Sequence, residues 1–281
     1  MSTLGIIAGG GELPVAVAEA ALAAGQEVFI VALRGSADEG ISRFPHGWCG
    51  IGEVGRVFSL LRESRCDSVL LVGKVVRPKF SEVKVDARGM LLVPKIVSAA
   101  RKGDDALLRM LVELFEGAGF NVVGVAEAAP DLVVGEGVLS RIKPAPEHEA
   151  DIARANEVIN RLGELDIGQA AVVCDNLVLA VEAAEGTDAM IARVSDLPEN
   201  IRGTPAKRRG VLVKAPKPLQ DGKTDLPVIG VQTVDKVAAA GLAGIAILAG
   251  GALIVNRPAV IDAADKAGLF VVGFRARANA G

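Results

Sequence analysis

The residues most able to do chemistry lie in one short run, Glu182-Ala183-Ala184-Glu185-Gly186-Thr187-Asp188, which places three carboxylates within seven positions. The run follows an apolar stretch from Gln169 to Val181. That stretch reads as a β-hairpin, with strands over 170–174 and 177–181 and a tight Asp175-Asn176 turn. Glu182 then falls at a strand end, Gly186 permits an unusual backbone turn, and Thr187 suits the N-cap of a helix opening at Asp188. Carboxylates and free backbone N–H groups gathered there can hold a hard divalent cation or a phosphate. An ordinary helix start, with acids favouring the helix dipole, explains the same residues.

A second candidate is the polar loop from Ala215 to Pro227, set between two apolar strands. Lys214 and Lys217 precede its acidic part, Gln220-Asp221-Gly222-Lys223-Thr224-Asp225, and prolines stiffen it. Such loops often carry function. Asp221 can merely hold a turn, whereas Asp225 stands beside Leu226-Pro227-Val228 and has no such simple role. Nearer the N-terminus, Gly9-Gly10-Gly11 lies between a strand and a helix, where backbone N–H groups can cradle an anion. Lys74 and Arg77 follow a later strand at the same expected edge and can meet an anion. Asp104 and Asp105 open a helix near those strand ends, and capping accounts for Asp104 equally well.

The elements that must position these residues alternate between strand and helix. Strands are expected at 4–8, 28–33, 68–73 and 121–125, with helices at 13–24, 53–65 and 104–116. That alternation predicts a Rossmann-like, doubly wound parallel sheet over residues 1–130. A connector over 131–149 leads to a C-terminal mixed α/β domain over 150–281, which carries the acidic and catalytic loops. In it are expected a helix at 147–162, the hairpin, strands at 210–214 and 228–231, a helix capped by Thr233, and a strand at 269–274.

Composition narrows the function. The 281 residues are 51% apolar and 23% charged, with net charge −3, 3% aromatic residues and no Tyr. That balance lacks the basic footprint and stacking platforms of a nucleic-acid binder. Cys49, Cys66 and Cys174 have no metal-ligand spacing, and an odd count suits a reducing compartment. The N-terminus has no basic region or cleavage site, so no signal peptide is expected. The uncharged stretch 237–255 is long enough to raise the question of a membrane span, but Gly241, Gly244, Gly250 and Gly251 break it into a helix, a turn and short buried strands. With only His46 and His148, no Ser/His/Asp or Cys/His set forms, so any chemistry falls to carboxylates, lysines and a metal.

In order and spacing the motifs resemble the UDP-2,3-diacylglucosamine pyrophosphatase family of the LpxI type, over nearly the whole chain. The resemblance is carried by residues 5–14, 72–78 and 103–108 in the first half. In the second half it is carried by Asp166-Ile167-Gly168-Gln169, Glu182 to Asp188, Leu212-Val213-Lys214-Ala215 and Gln220 to Pro227. Gly222-Lys223-Thr224 departs from the more basic filling expected of that loop.

The resemblance implies hydrolysis of UDP-2,3-diacylglucosamine to UMP and 2,3-diacylglucosamine 1-phosphate, a cytoplasmic step of lipid A assembly. It also implies Mg²⁺ (or Mn²⁺) as cofactor, two domains with the lipid between them, and water adding at the sugar-side phosphorus. On this reading Asp225 is the key carboxylate, as metal ligand or base, with Glu182 and Asp188 as secondary metal ligands. Lys214, Thr187 and Gln169 would hold phosphate or sugar oxygens, with Gly10 and Gly11 from the other domain, and Lys74, Arg77, Asp104 and Asp105 complete the substrate-binding set. Peripheral contact with the inner membrane surface, and a homodimer, are compatible with it; nucleic acid is not an expected partner. Two rival classes stay open. An NADP-dependent oxidoreductase would use the glycine loop, although Pro14 breaks the dinucleotide fingerprint while Arg34 suits a 2′-phosphate. A non-catalytic lipid or nucleotide-sugar carrier would need neither Asp225 nor a metal.

Overall fold

The computed structural model describes residues 3–75, 83–217 and 226–276. They form two compact units, one up to Leu132 and one from Val133 onward.

The first unit contains β1 (Thr3–Ala8), α1 (Leu13–Ala23), β2 (Glu27–Leu33), β3 (His46–Cys49), α2 (Val54–Glu63), β4 (Cys66–Val72), α3 (Ala87–Ala100), α4 (Asp104–Glu116), β5 (Asn121–Val122) and α5 (Val125–Ala128). Its five strands run parallel in the order β3-β2-β1-β4-β5. This is the doubly wound, Rossmann-like sheet expected from the strand–helix alternation, with the order reversing beside β1. Phe58, Phe115 and Phe120 pack on one another beneath α2 and α4, with Phe58 and Phe120 stacked at 5.9 Å between ring centroids. The strand expected over 121–125 is cut to Asn121–Val122, with α5 beginning at Val125, and two further elements are unexpected. His46-Gly47-Trp48-Cys49 is a strand although its sequence has no apolar alternation; pairing with β2 overrides weak local propensity. The α3 helix carries Pro94 inside it, a residue that in sequence argues for a break.

The second unit contains β6 (Gly137–Val138), α6 (Pro146–Gly163), β7 (Ala170–Cys174), β8 (Leu177–Val181), α7 (Gly186–Ser195), β9 (Val211–Lys214), β10 (Val228–Ile229), α8 (Val231–Ala239), β11 (Gly244–Leu248), β12 (Leu253–Ile254), α9 (Arg257–Ala267) and β13 (Phe270–Phe274). Six strands form a mixed sheet ordered β6-β13-β11-β9-β7-β8. Its centre, β9, β11 and β13, is parallel, while β6, β7 and β8 add antiparallel pairings. Both faces are covered, and the two-residue side-chain period sorts them. Ala171, Val173, Val211 and Val213 face α6 through Ile152, Ala155 and Ile159. Val172, Ala180 and Leu212 face the opposite way, onto Met190 and Ile191 of α7 and Val234 of α8. That parity places Lys214 and Glu182, each two residues beyond a member of the second set, on the α7 side of the sheet.

The segment expected as a connector supplies the edge strand β6 and the bond from Val134 N–H to Ala252 O at 2.9 Å. The uncharged stretch 237–255 folds into the end of α8, β11 and β12, and among the described residues no helix is long and apolar enough to cross a membrane. Thr233 does not cap α8: the helix starts at Val231 with Gly230 in the cap position.

Candidate active site

The second unit brings four of the sequence candidates together at one end of its sheet. Gln169 precedes β7, Glu182 follows β8, Lys214 ends β9, and Thr187 lies in the first turn of α7. The carboxyl ends of parallel strands, with a helix N-terminus beside them, are where α/β sheets bind ligands. Lys214 and Glu182 are both buried, at 6% and 8% exposure. Lys214 Nζ donates to Thr187 Oγ1 at 3.0 Å and to Val228 O at 3.1 Å. Thr187 Oγ1 donates to Glu182 Oε1 at 2.8 Å, and the Gln169 N–H donates to Glu182 Oε2 at 3.1 Å. Two glycines shape the corner. Gly168 sits at φ +55°, where any Cβ would collide with the Glu182 carbonyl, and Gly186 turns the chain into α7 at φ +79°.

Thr187 therefore does something other than expected. The helix starts two residues earlier than expected, at Gly186, and the cap position is Glu185 with no side-chain cap bond. The threonine hydroxyl is released from capping and links a carboxylate to an ammonium. Gln169 Oε1 is buried without a hydrogen-bond partner among the described residues. A buried acceptor left open calls for a donor, such as a sugar hydroxyl.

Glu182 and Asp188, the expected secondary metal ligands, are drawn to different partners. Glu182 spends both oxygens on Gln169 and Thr187, and half-exposed Asp188 pairs with Lys236 at 2.5 Å. Among the described residues no three His, Cys, Asp or Glu side chains converge as a metal site. Asp225, the key expected carboxylate, lies outside the described residues, as do Asp221 and Arg77. Lys217 is paired with Asp166.

In the first unit the glycine loop and the Lys74 loop meet, as their places after β1 and β4 predict. Gly10 N–H donates to Lys74 O at 2.8 Å and Lys74 N–H returns to Gly10 O at 2.9 Å. Gly10 is needed for close approach, since a Cβ there would sit 2.6 Å from Ser36 O. Gly11, at φ +93°, donates its N–H to Asp38 Oδ2 at 2.6 Å. A carboxylate oxygen on a glycine-loop N–H is what an anion-cradling loop can accept. Sequence reading did not find Asp38; only its place after β2, facing the glycine loop, could have signalled it. Arg34 is committed to Glu53 and to Trp48 O, so the guanidinium that suits a 2′-phosphate already has acceptors. Asp104 is the first residue of α4, with Gly103 in the cap position, and partly buried Asp105 follows it.

The remaining reactive types are structural. His46 Nδ1 lies 2.8 Å from Phe44 O, and His148 Nδ1 accepts from the Ala145 N–H at 3.1 Å. All three cysteines are buried and unpaired, and burial pushes the Cys49 and Cys66 thiols up to about 11.

Comparison with known proteins covers nearly the whole chain. The LpxI N-terminal domain matches residues 3–132 and the LpxI C-terminal domain matches residues 135–272. A curated relative from Caulobacter vibrioides, named UDP-2,3-diacylglucosamine pyrophosphatase LpxI, is 53% identical over 273 residues, covering 97% of this chain and 98% of its own. Among solved structures, CobK precorrin-6A reductase aligns with 99% of this chain and 89% of its own at 13% identity and a TM-score of 0.34, too slight a likeness to bear on the chemistry. Two domain matches in sequence order and a full-length relative leave one conclusion: the chain belongs to the LpxI family.

Proposed function

We propose that this chain hydrolyses the pyrophosphate bond of UDP-2,3-diacylglucosamine, giving UMP and 2,3-diacylglucosamine 1-phosphate for lipid A assembly. Water adds at the sugar-side phosphorus, the bond from that phosphorus to the bridging oxygen breaks, and UMP leaves with that oxygen. What carries the reading is the name of a relative that matches nearly end to end. The described residues add a buried ammonium, Lys214, at the carboxyl end of a parallel strand and beside a helix N-terminus. In a site of low dielectric, such a fixed positive charge stabilises the charge that develops as a pyrophosphate splits. The open acceptor of Gln169 suits a sugar hydroxyl better than a phosphate oxygen, which has no proton to give. Gly10, Gly11, Lys74, Arg77, Asp104 and Asp105 are assigned to the phosphate and sugar oxygens.

A divalent ion, Mg²⁺ or Mn²⁺, belongs to this proposal with Asp225 as its ligand; when bound it would neutralise pyrophosphate charge. The place of action is the cytoplasmic face of the inner membrane. Helix α3 supports peripheral contact there, since Met90 and Leu91 are 60% and 78% exposed and Arg88, Lys95 and Arg101 are exposed cations on the same helix or at its end. Flotation with phosphatidylglycerol vesicles should carry the wild type and lose the Met90→Ser, Leu91→Ser double variant.

The test of function is to incubate the purified chain with UDP-2,3-diacylglucosamine and Mg²⁺ and follow UMP. The proposal predicts UMP and sugar 1-phosphate in equal amounts, and loss of both in EDTA. Binding without UMP release would make the chain a carrier. NADPH-dependent turnover would make it an oxidoreductase. Full activity in EDTA would remove the metal alone.

A further inference from the structure

The hydrogen bonds around Lys214 can run in only one direction. An ammonium has donors and no acceptor, so Thr187 Oγ1 must accept from Nζ at 3.0 Å. The one hydroxyl proton is then committed to Glu182 Oε1, at 2.8 Å. The other carboxylate oxygen is held by the Gln169 N–H at 3.1 Å, so the Glu182 side chain cannot swing without breaking a bond at each oxygen. At the far end the same ammonium donates to Val228 O at 3.1 Å, three residues after Asp225 in sequence. The chain of bonds thus ties the ends of β8 and β9 to the first turn of α7 and the first residue of β10. Each carboxylate oxygen already accepts a hydrogen bond that fixes its direction, and a positive charge lies one hydroxyl away. That arrangement anchors a cation already present and gives a second cation an unfavourable seat.

We propose that Glu182 is a positioning residue: acting through Thr187, it fixes the Lys214 ammonium where pyrophosphate charge develops, and it does not ligate the metal. The inference rests on the pyrophosphatase reading and deepens it. It differs from the metal role that spacing and family resemblance suggest for Glu182.

The test is a double-variant cycle read by steady-state kinetics, with wild-type UMP release as the control. If the wild type releases no UMP, the functional reading fails before any variant is judged. If it does, Thr187→Val and Glu182→Gln should each lower kcat by about 10- to 100-fold, the cost of misplacing a charged group by a fraction of an ångström to an ångström. KM should change much less than kcat. The double variant should be no slower than the slower single variant, because both substitutions cut the same chain. Thr187→Ser, which keeps the hydroxyl, should recover most of the loss, and this arm stands even if the valine variant folds poorly. Mn²⁺ affinity without substrate, read by electron paramagnetic resonance, should be unchanged in Glu182→Gln. Losses that multiply in the double variant would overturn the inference. So would a tenfold loss of Mn²⁺ affinity in Glu182→Gln with Thr187→Val left at wild-type turnover.

Discussion

Two buried carboxylates stand at opposite ends of the same hairpin in the second unit, and they differ in what they hold. Asp151, on α6, is 1% exposed and accepts from the backbone N–H groups of Asp175 and Asn176 at 3.2 and 2.7 Å. Those two residues form the β7–β8 turn, both with left-handed backbone, at φ 50° and 63°. Glu182, at the open end, is 8% exposed and gives one oxygen to backbone and the other to Thr187, which leads to Lys214. The first carboxylate terminates on main chain, so its whole effect is to hold a turn closed. The second terminates on a side chain bearing a charge, at the carboxyl end of the sheet, the end at which α/β sheets in general bind ligands. Burial alone does not distinguish the two acids; the identity of their partners does.

Exchanging the two acids for alanine should separate the roles, and this contrast has the largest expected effect. Glu182→Ala should lower kcat by roughly 100-fold, since Thr187 loses the acceptor that orients its bond to the ammonium, while Asp151→Ala should leave turnover per folded molecule near the wild type. Equal losses of turnover from both would erase the distinction. In urea unfolding, Asp151→Ala should cost roughly 1 to 2 kcal/mol, the penalty for two turn N–H groups left without their acceptor. A change below a few tenths would mean that water replaces the carboxylate fully.

The pH dependence of that contribution has a definite sign. Burial, opposed by the bond from Asn176 N–H, raises the Asp151 carboxyl above its ordinary 3.8. The folded chain therefore binds this proton more tightly than the unfolded chain. The group's contribution is full below 3.8 and declines as pH rises from there to the raised folded value, then stays flat. Compared with Asp151→Asn, the wild type should gain stability when pH is lowered from neutrality through that window. A gap that moves the other way would show hydrogen bonding, not burial, to dominate. The smallest effect belongs to Asp188. Its pair with Lys236 is 51% and 39% exposed, so Asp188→Asn should change stability by less than about 1 kcal/mol. A tenfold rise in the Mg²⁺ needed for half-maximal turnover would instead mark Asp188 as a metal ligand.

Much of the fold was legible because its signals are periodic. The short apolar runs 170–174, 177–181 and 211–214 read as strands, and the Asp175-Asn176 pair marks the turn. The meeting of Gly10 with Lys74 follows from loops after neighbouring parallel strands. The parts not legible depend on tertiary partners. Thr187 reads as a cap because its sequence neighbours are those of a cap; its actual acceptor, Glu182, is reached only once β8 and α7 are packed. Asp151 looks like one of several acids on a polar helix, Glu147 and Glu149 among them. Its one signal is position: with Ala155 and Ile159 it lies on the buried stripe at four-residue spacing, where an unpaired acid could not remain. β3 and α3 were missed for the opposite reason, since local sequence argues against both and packing overrides it.

The account rests on the Lys214 ammonium acting at the bond that breaks. Lys214→Met keeps a side chain of similar length without the charge, and its turnover of UDP-2,3-diacylglucosamine should be measured beside the wild type, with Tm recorded for both. The account predicts a loss of about 100-fold or more in kcat, the scale of removing one preorganised donor, in a protein that still melts cooperatively. Turnover within twofold of the wild type would contradict it.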